Sequence, residues 1–276
     1  MADLNDQALP AHTVAAPVQL RLSSARVACV LCAIIIPLTI LSVASHVYRF
    51  TFAGGNARWY TLMFDLNYEH SVPTYYQGIS ILVASLLLVV PALSRRRGGE
   101  PHPIWWGILA AAFAWLSYDE LCEMHEMVGF AVERHVHTSG YFKFGWVIPA
   151  MIFAATFGAI YLRFLFQLPL RTRLRFIVAG AIYVGGAVGV EMISAKYADL
   201  HGQENLGYCL ISDVEEFGEM TGIGLFIFSL VSHLGQRDEE LAISFSQAST
   251  SRRGKIAGDE HLSNPGRPQR HYNAAA

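Results

Sequence analysis

Apolar residues run along this chain in long, nearly uninterrupted stretches rather than in the one-sided stripe of a water-soluble helix. Stretches of about 18 residues or more match a hydrocarbon core about 30 Å thick and read as membrane spans. The pattern predicts six, over about 27–48, 76–94, 104–130, 145–167, 175–195 and 208–233. The fold class expected is therefore all-α, a polytopic membrane helix bundle of about six transmembrane helices. Polar, proline-bearing residues 1–26 read as a disordered cytoplasmic N-terminus. Residues 27–234 read as the membrane domain, with an external loop at 49–75 rich in interfacial aromatics (Trp59, Tyr60, Tyr68, Tyr75). Residues 235–276, with "STSRRGK" and "SNPGRPQRHYN", read as a disordered cytoplasmic tail.

Composition agrees with a membrane protein. Of 276 residues, 53% are hydrophobic and only 15% charged, against about 25% charged in a soluble domain. The net charge of −2 gives no reason to expect a nucleic-acid partner. Four cysteines are too few for a disulfide scaffold.

Orientation follows from Lys and Arg in the short loops. Arg21 and Arg26, Arg95 to Arg97, Arg171, Arg173 and Arg175, and Arg237, Arg252, Arg253 and Lys255 all fall on one side. The other side holds Arg49, Arg58, Arg134, Lys143 and Lys196. Both termini are thus expected in the cytoplasm, with the chain in a bacterial inner membrane.

The apolar pattern is broken in a telling way. "WLSYDELCEMHEMVGF" at 115–130 carries Asp119, Glu120, Glu123 and Glu126, yet no Lys or Arg lies between Ile104 and Phe130. At 1.5 Å per residue, Asp119 sits roughly 22 Å from the cytoplasmic end of its span. Glu191 in span 5, and Asp213, Glu215, Glu216 and Glu219 in span 6, come out at similar depth. Nine carboxylates are thus expected in one outer layer, with His46 and His125, and with Asp65, Glu69 and His70 in the loop that would cap it. At about 100° per residue, Asp119, Glu123 and Glu126 form a narrow stripe, with His125 on another face. The pair Gly185/Gly189 predicts a close helix approach beside Glu191.

One carboxylate in mid-bilayer costs roughly 2.5–3.5 kcal/mol. Nine without basic partners point to an interior site served by cations, protons or water. The competing reading ends the spans earlier and leaves the acids solvated at helix ends. Against it stand the apolar residues between the acids: Leu121, Met124, Met127, Val214, Phe217 and Met220.

An oxygen-rich ligand set with little His favours Mn, Fe, Mg or Ca over a thiolate-type zinc site, with Zn kept among the possible divalent metals. The metal ligands expected are Asp119, Glu123, Glu126, Glu191, Glu215, Glu216, Glu219 and His46; the catalytic residues expected are Asp119, Glu123, Glu126 and His125. Carboxylate-bridged helical bundles use Glu-x-x-His twice; here Glu123/Glu126 and Glu216/Glu219 have the spacing, but neither pair ends in His.

"FDLNYEHSVPTYY", "SYDELCEMHE" and "DVEEFGEM" together resemble an uncharacterised family of bacterial six-span membrane proteins, over roughly 27–234. That resemblance implies the architecture and no activity. The function expected is a metal-dependent membrane enzyme acting on a lipid or lipid-linked substrate. A proton- or cation-coupled transporter and a non-catalytic membrane assembly protein are the alternatives. An inverted repeat would put the acid clusters of spans 3 and 6 on opposite sides, which counts against transport.

Overall fold

A computed structural model describes residues 23–56, 59–94 and 101–236. The two terminal segments expected to be disordered, apart from residues near their span-side ends, lie outside these residues. So do Arg21, Arg58, Arg95 to Arg97, Arg237, Arg252, Arg253 and Lys255, which carry most of the orientation argument.

The described chain is helical throughout. The helices are α1 (Ser24–Thr51), α2 (Trp59–Leu62), α3 (Val72–Leu93), α4 (Pro103–Cys122), α5 (Met124–Glu133), α6 (Val147–Gln167), α7 (Leu170–Val184), α8 (Glu191–His201) and α9 (Leu206–Gln236). A π-helical turn, Gly185–Val190, joins α7 to α8 into one rod. Five helical segments are long and apolar enough to cross a membrane: α1, α3, α6, α7 through α8, and α9. By length and composition they suggest a multi-pass membrane protein. The sixth helix of the bundle, α4, falls outside that group because Asp119 and Glu120 end its apolar run.

Local sequence sets several of the ends. Ser71 caps α3: its hydroxyl accepts from the Thr74 N–H at 3.3 Å, and Pro73 occupies the first turn. His102 caps α4 in the same way, ahead of Pro103. Packing comes from α9, which touches α1, α3, α7, the π turn and α8. Two hydroxyls lock α3 to α4: Ser85 donates to the Ala110 carbonyl and Ser117 to that of Gly78, each at 2.7 Å. The core at the end of the bundle away from the acids is aromatic. Trp106 packs edge-on against Phe164 at 4.8 Å, Phe176 stands beside Phe226 at 4.7 Å, and Leu230 and Leu234 fill the rest.

Two expectations are corrected. The third span is not continuous over 104–130. It breaks at Glu123, which takes the left-handed conformation (φ 53°, ψ 38°). The cause is long-range. Beyond the break α5 lies against the start of α6, where a Cβ on Gly145 would stand 2.9 Å from the Gly129 carbonyl oxygen. A straight helix could not make that contact. The close approach near Glu191 is also not at Gly185 or Gly189, both of which have open space where a Cβ would go. It is at Gly186, where a Cβ would lie 2.8 Å from the Glu215 carbonyl oxygen. The π turn inserts a residue into the helical phase and brings a different glycine to α9.

Candidate functional site

The acids lie around one cavity of about 1500 Å³ bounded by α4, α5, α6, α7, the π turn, α8 and α9. At one end its wall carries Glu69, Glu120, Glu191, Glu215, Glu216 and Glu219, with Asp119, His125 and Glu126 beside them. At the other end it narrows into an aromatic slot lined by Phe113, Phe157, Phe176 and Phe226. Trp115, Phe153, Leu162 and Ile177 line the same space and are exposed on the apolar surface. The cavity therefore opens sideways, toward the face that meets lipid. Phe164, on the aromatic part of the wall, packs against Trp106.

The rod α7–α8 positions Glu191 at the end of the π turn. Its carboxylate accepts from Trp146 Nε1–H at 3.1 Å and from the Ser194 hydroxyl at 2.8 Å. Glu215, on α9, stands near Glu191 and lines the same cavity. Glu215 is 7% exposed, and its Oε2 has no hydrogen-bond partner. One turn on, Glu219 accepts from Gln77 Nε2 at 2.8 Å, while Gln77 Oε1, on α3, is buried without a partner.

The break at Glu123 determines where His125 goes. Folding back, its Nδ1 comes within 3.3 Å of Asp119 Oδ2, and its ring packs 5.0 Å from that of Trp146. The sequence expectation, with His125 on a face away from Asp119, assumed an unbroken helix and is corrected. Glu123 stands outside the cavity and faces His70 at 3.6 Å. Glu69, in the loop before α3, lines the cavity, whereas Asp65 and His70 of the same loop do not. Burial pushes its carboxyl up to about 7; His125 draws it down, and Glu123, Glu126 and Asp119 push it further up.

His46 belongs to a different cluster. Its Nε2 lies 3.4 Å from Asp65 Oδ1 and 3.5 Å from Asp213 Oδ1, all three groups being buried. The Ser42 hydroxyl donates to Asp213 Oδ1 at 2.6 Å and accepts from the Leu66 N–H at 3.0 Å. The cluster ties the loop and α1 to α9, and neither His46 nor Asp213 lines the cavity.

The ligand set expected for a metal thus does not converge on one point. His46 is held by its own aspartates, Glu123 sits at the helix break, and the other acids face one another from separate walls. Among the described residues no group of three or more His, Cys, Asp or Glu is arranged to hold a metal ion. Cys122 and Cys209 are both free.

The sequence reading counted Glu120 and Asp213 in the acid layer and Asp65 in the capping loop but gave them no role, and it missed Gln77, Trp146 and Ser42 altogether. Gln77 had a signal: it is an uncharged polar residue near the start of an apolar span. Trp146 had none, because its partner is 45 residues away.

A family model described as a domain of unknown function (DUF8692) matches residues 22–234, the whole helical bundle. The chain belongs to this family. The match spans every wall of the cavity, so the site described is one carried by a DUF8692 domain. No curated protein and no solved structure matches the chain. Membership assigns no activity, and what the domain does has to be argued from the cavity.

Proposed function

We propose that this protein is a membrane-embedded acid–base enzyme acting on a lipid or lipid-linked substrate. The observation that carries this reading is that one cavity joins two neighbouring carboxyl groups, Glu191 and Glu215, to a set of aromatic side chains that reaches the exposed apolar surface. A substrate entering from the bilayer would lay its chain in the slot and bring its polar group to the pair. One carboxyl would give its proton to a leaving oxygen while its partner carboxylate takes the proton of the attacking nucleophile. Trp146 and Ser194 hold Glu191 in place for that exchange. Two features support a working site over simple packing: a non-glycine residue in left-handed conformation at Glu123, and a π turn ending at Glu191. Both are departures from regular helix that collect at functional positions.

Transport of a coupled proton or cation fits less well. Beyond the aromatic lining Trp106 packs against Phe164 and Phe176, and no acid is among the groups at that end. A bacterial inner membrane and cytoplasmic termini remain part of the proposal, on the Lys and Arg distribution alone.

The test is to reconstitute the protein with a total bacterial lipid extract and follow lipid species by mass spectrometry over time. The reading requires at least one species to be consumed by the wild type and spared by Glu215→Gln and Glu191→Gln. No change with wild type, or equal change with both variants, would overturn it.

A further inference from the structure

The polar inventory of the cavity is lopsided. Nine carboxyl groups line it, Asp119 and eight glutamates, against one lysine, Lys143, and one histidine, His125. Four nitrogen-bearing side chains around these acids are already engaged. Trp146 serves Glu191, Gln77 serves Glu219, His125 stands against Asp119, and Lys143 faces Asp199 at 3.7 Å. Acceptors are left over. Glu215 Oε2 and Gln77 Oε1 are buried with no partner, although their residues are only 7% and 2% exposed. A buried polar atom without a partner is costly, and a charged one more so. Glu215 lines the cavity, so a ligand that brings N–H donors and positive charge to its Oε2 would relieve that cost. A phosphate or carboxylate head would meet mostly carboxyl groups, with no arginine in the wall and with Lys143 and His125 already facing Asp199 and Asp119.

The other half of the cavity sets the rest of the ligand. The slot lined by Phe113, Phe157, Phe176 and Phe226 is apolar, and on α9 Glu219 and Phe226 are separated by roughly 10 Å of helix rise. A head group at Glu215 and Glu219 therefore has room for a hydrocarbon chain running along α9 toward Phe226.

We infer that the cavity selects an amphiphile with a protonated amine head, its N–H groups held by Glu215 and Glu219 and its chain in the aromatic slot. This rests on the cavity reading above and deepens it by naming the charge of the substrate's head. It does not depend on turnover.

The test uses the full chain in neutral detergent and three probes with the same chain: dodecylamine, dodecanol and dodecanoate. Binding is followed by native mass spectrometry and by the fluorescence of cavity-lining Trp115 and Trp146. Dodecylamine is expected to fill one site at least tenfold more tightly than either of the others. Glu215→Gln and Glu219→Gln should reduce that preference. The loop variant Glu69→Gln, outside the bundle core, should reduce it less. The wild-type series decides the question even if a buried variant misfolds. Equal binding of all three probes, or a preference for dodecanoate, overturns the cationic head while leaving a lipid cavity in place. Binding of none of them overturns this inference and the proposed function together.

Discussion

Replacing Gly186 with alanine should separate the two helices that build the carboxyl pair. The new methyl would lie 2.8 Å from the Glu215 carbonyl oxygen, 3.2 Å from the Glu219 nitrogen and 3.3 Å from Glu219 Cγ. Two of these are backbone atoms, so no side-chain rotation relieves the contact and the π turn and α9 must move apart. Such overpacking costs typically about 1–3 kcal/mol. Alanine also gains about 1 kcal/mol over glycine in a helix, which would blur the result taken alone. Gly185→Ala supplies the control, because nothing lies within 4 Å of its Cβ position. The control takes the same gain without the clash, so the difference between the two variants isolates the packing term. At roughly 2–4 °C per kcal/mol for a domain of this size, Gly186→Ala should melt several degrees below Gly185→Ala in the same detergent. It should also lose dodecylamine binding, since Glu215 moves away from Glu191. Equal melting temperatures would refute the close approach, and with it the geometry of the pair.

Three further outcomes follow from the same structure. Ser42→Ala removes the acceptor of the Leu66 N–H and a donor to buried Asp213; it should cost about 1–3 kcal/mol and speed amide hydrogen exchange across residues 62–70, and unchanged exchange there would contradict the tie. Phe164→Ala deletes the ring wedged against Trp106 and should cost about 3–5 kcal/mol in thermal unfolding, with a loss below about 1 kcal/mol arguing against that contact. The Glu69 carboxyl is held up to about 7, from an ordinary 4.5. Between those values the folded state binds more protons than the unfolded one, so its contribution favours folding below about 4.5 and is lost as pH rises through 7. Glu69→Gln should flatten the fall of melting temperature over that window, and identical pH profiles would remove the effect.

Much of the bundle was legible because a span announces itself by length. Runs such as "CVLCAIIIPLTILSVAS" need no tertiary partner to be read, and α1, α3, α6, the α7–α8 rod and α9 lie where the apolar runs put them. The acids of α9 were legible for the same reason. Glu215, Glu216 and Glu219 follow ordinary helical phase, and all three reach the cavity. What the sequence hid is every place where the helical phase is reset. "WLSYDELCEMHEMVGF" contains no Gly or Pro before Gly129, so nothing local predicts a break at Glu123. The break exists because α5 gains a close seat on Gly145 and Trp146 at the start of α6, and it is this reset that carries His125 onto Asp119. The π turn does the same near Glu191, exchanging Gly185 and Gly189 for Gly186. His46 was legible as a buried polar residue but not as a partner of Asp65 and Asp213, because those arrive from a loop and from the last helix. Both resets lie beside acids of the cavity, and regular helix would have scattered the groups they bring together. A chain selected only to pack would have little reason to hold a non-glycine residue in left-handed conformation beside its most acidic segment. That concentration of irregular backbone around Asp119, His125, Glu191 and Glu215 favours a site built for a ligand over a set of acids stranded at helix ends.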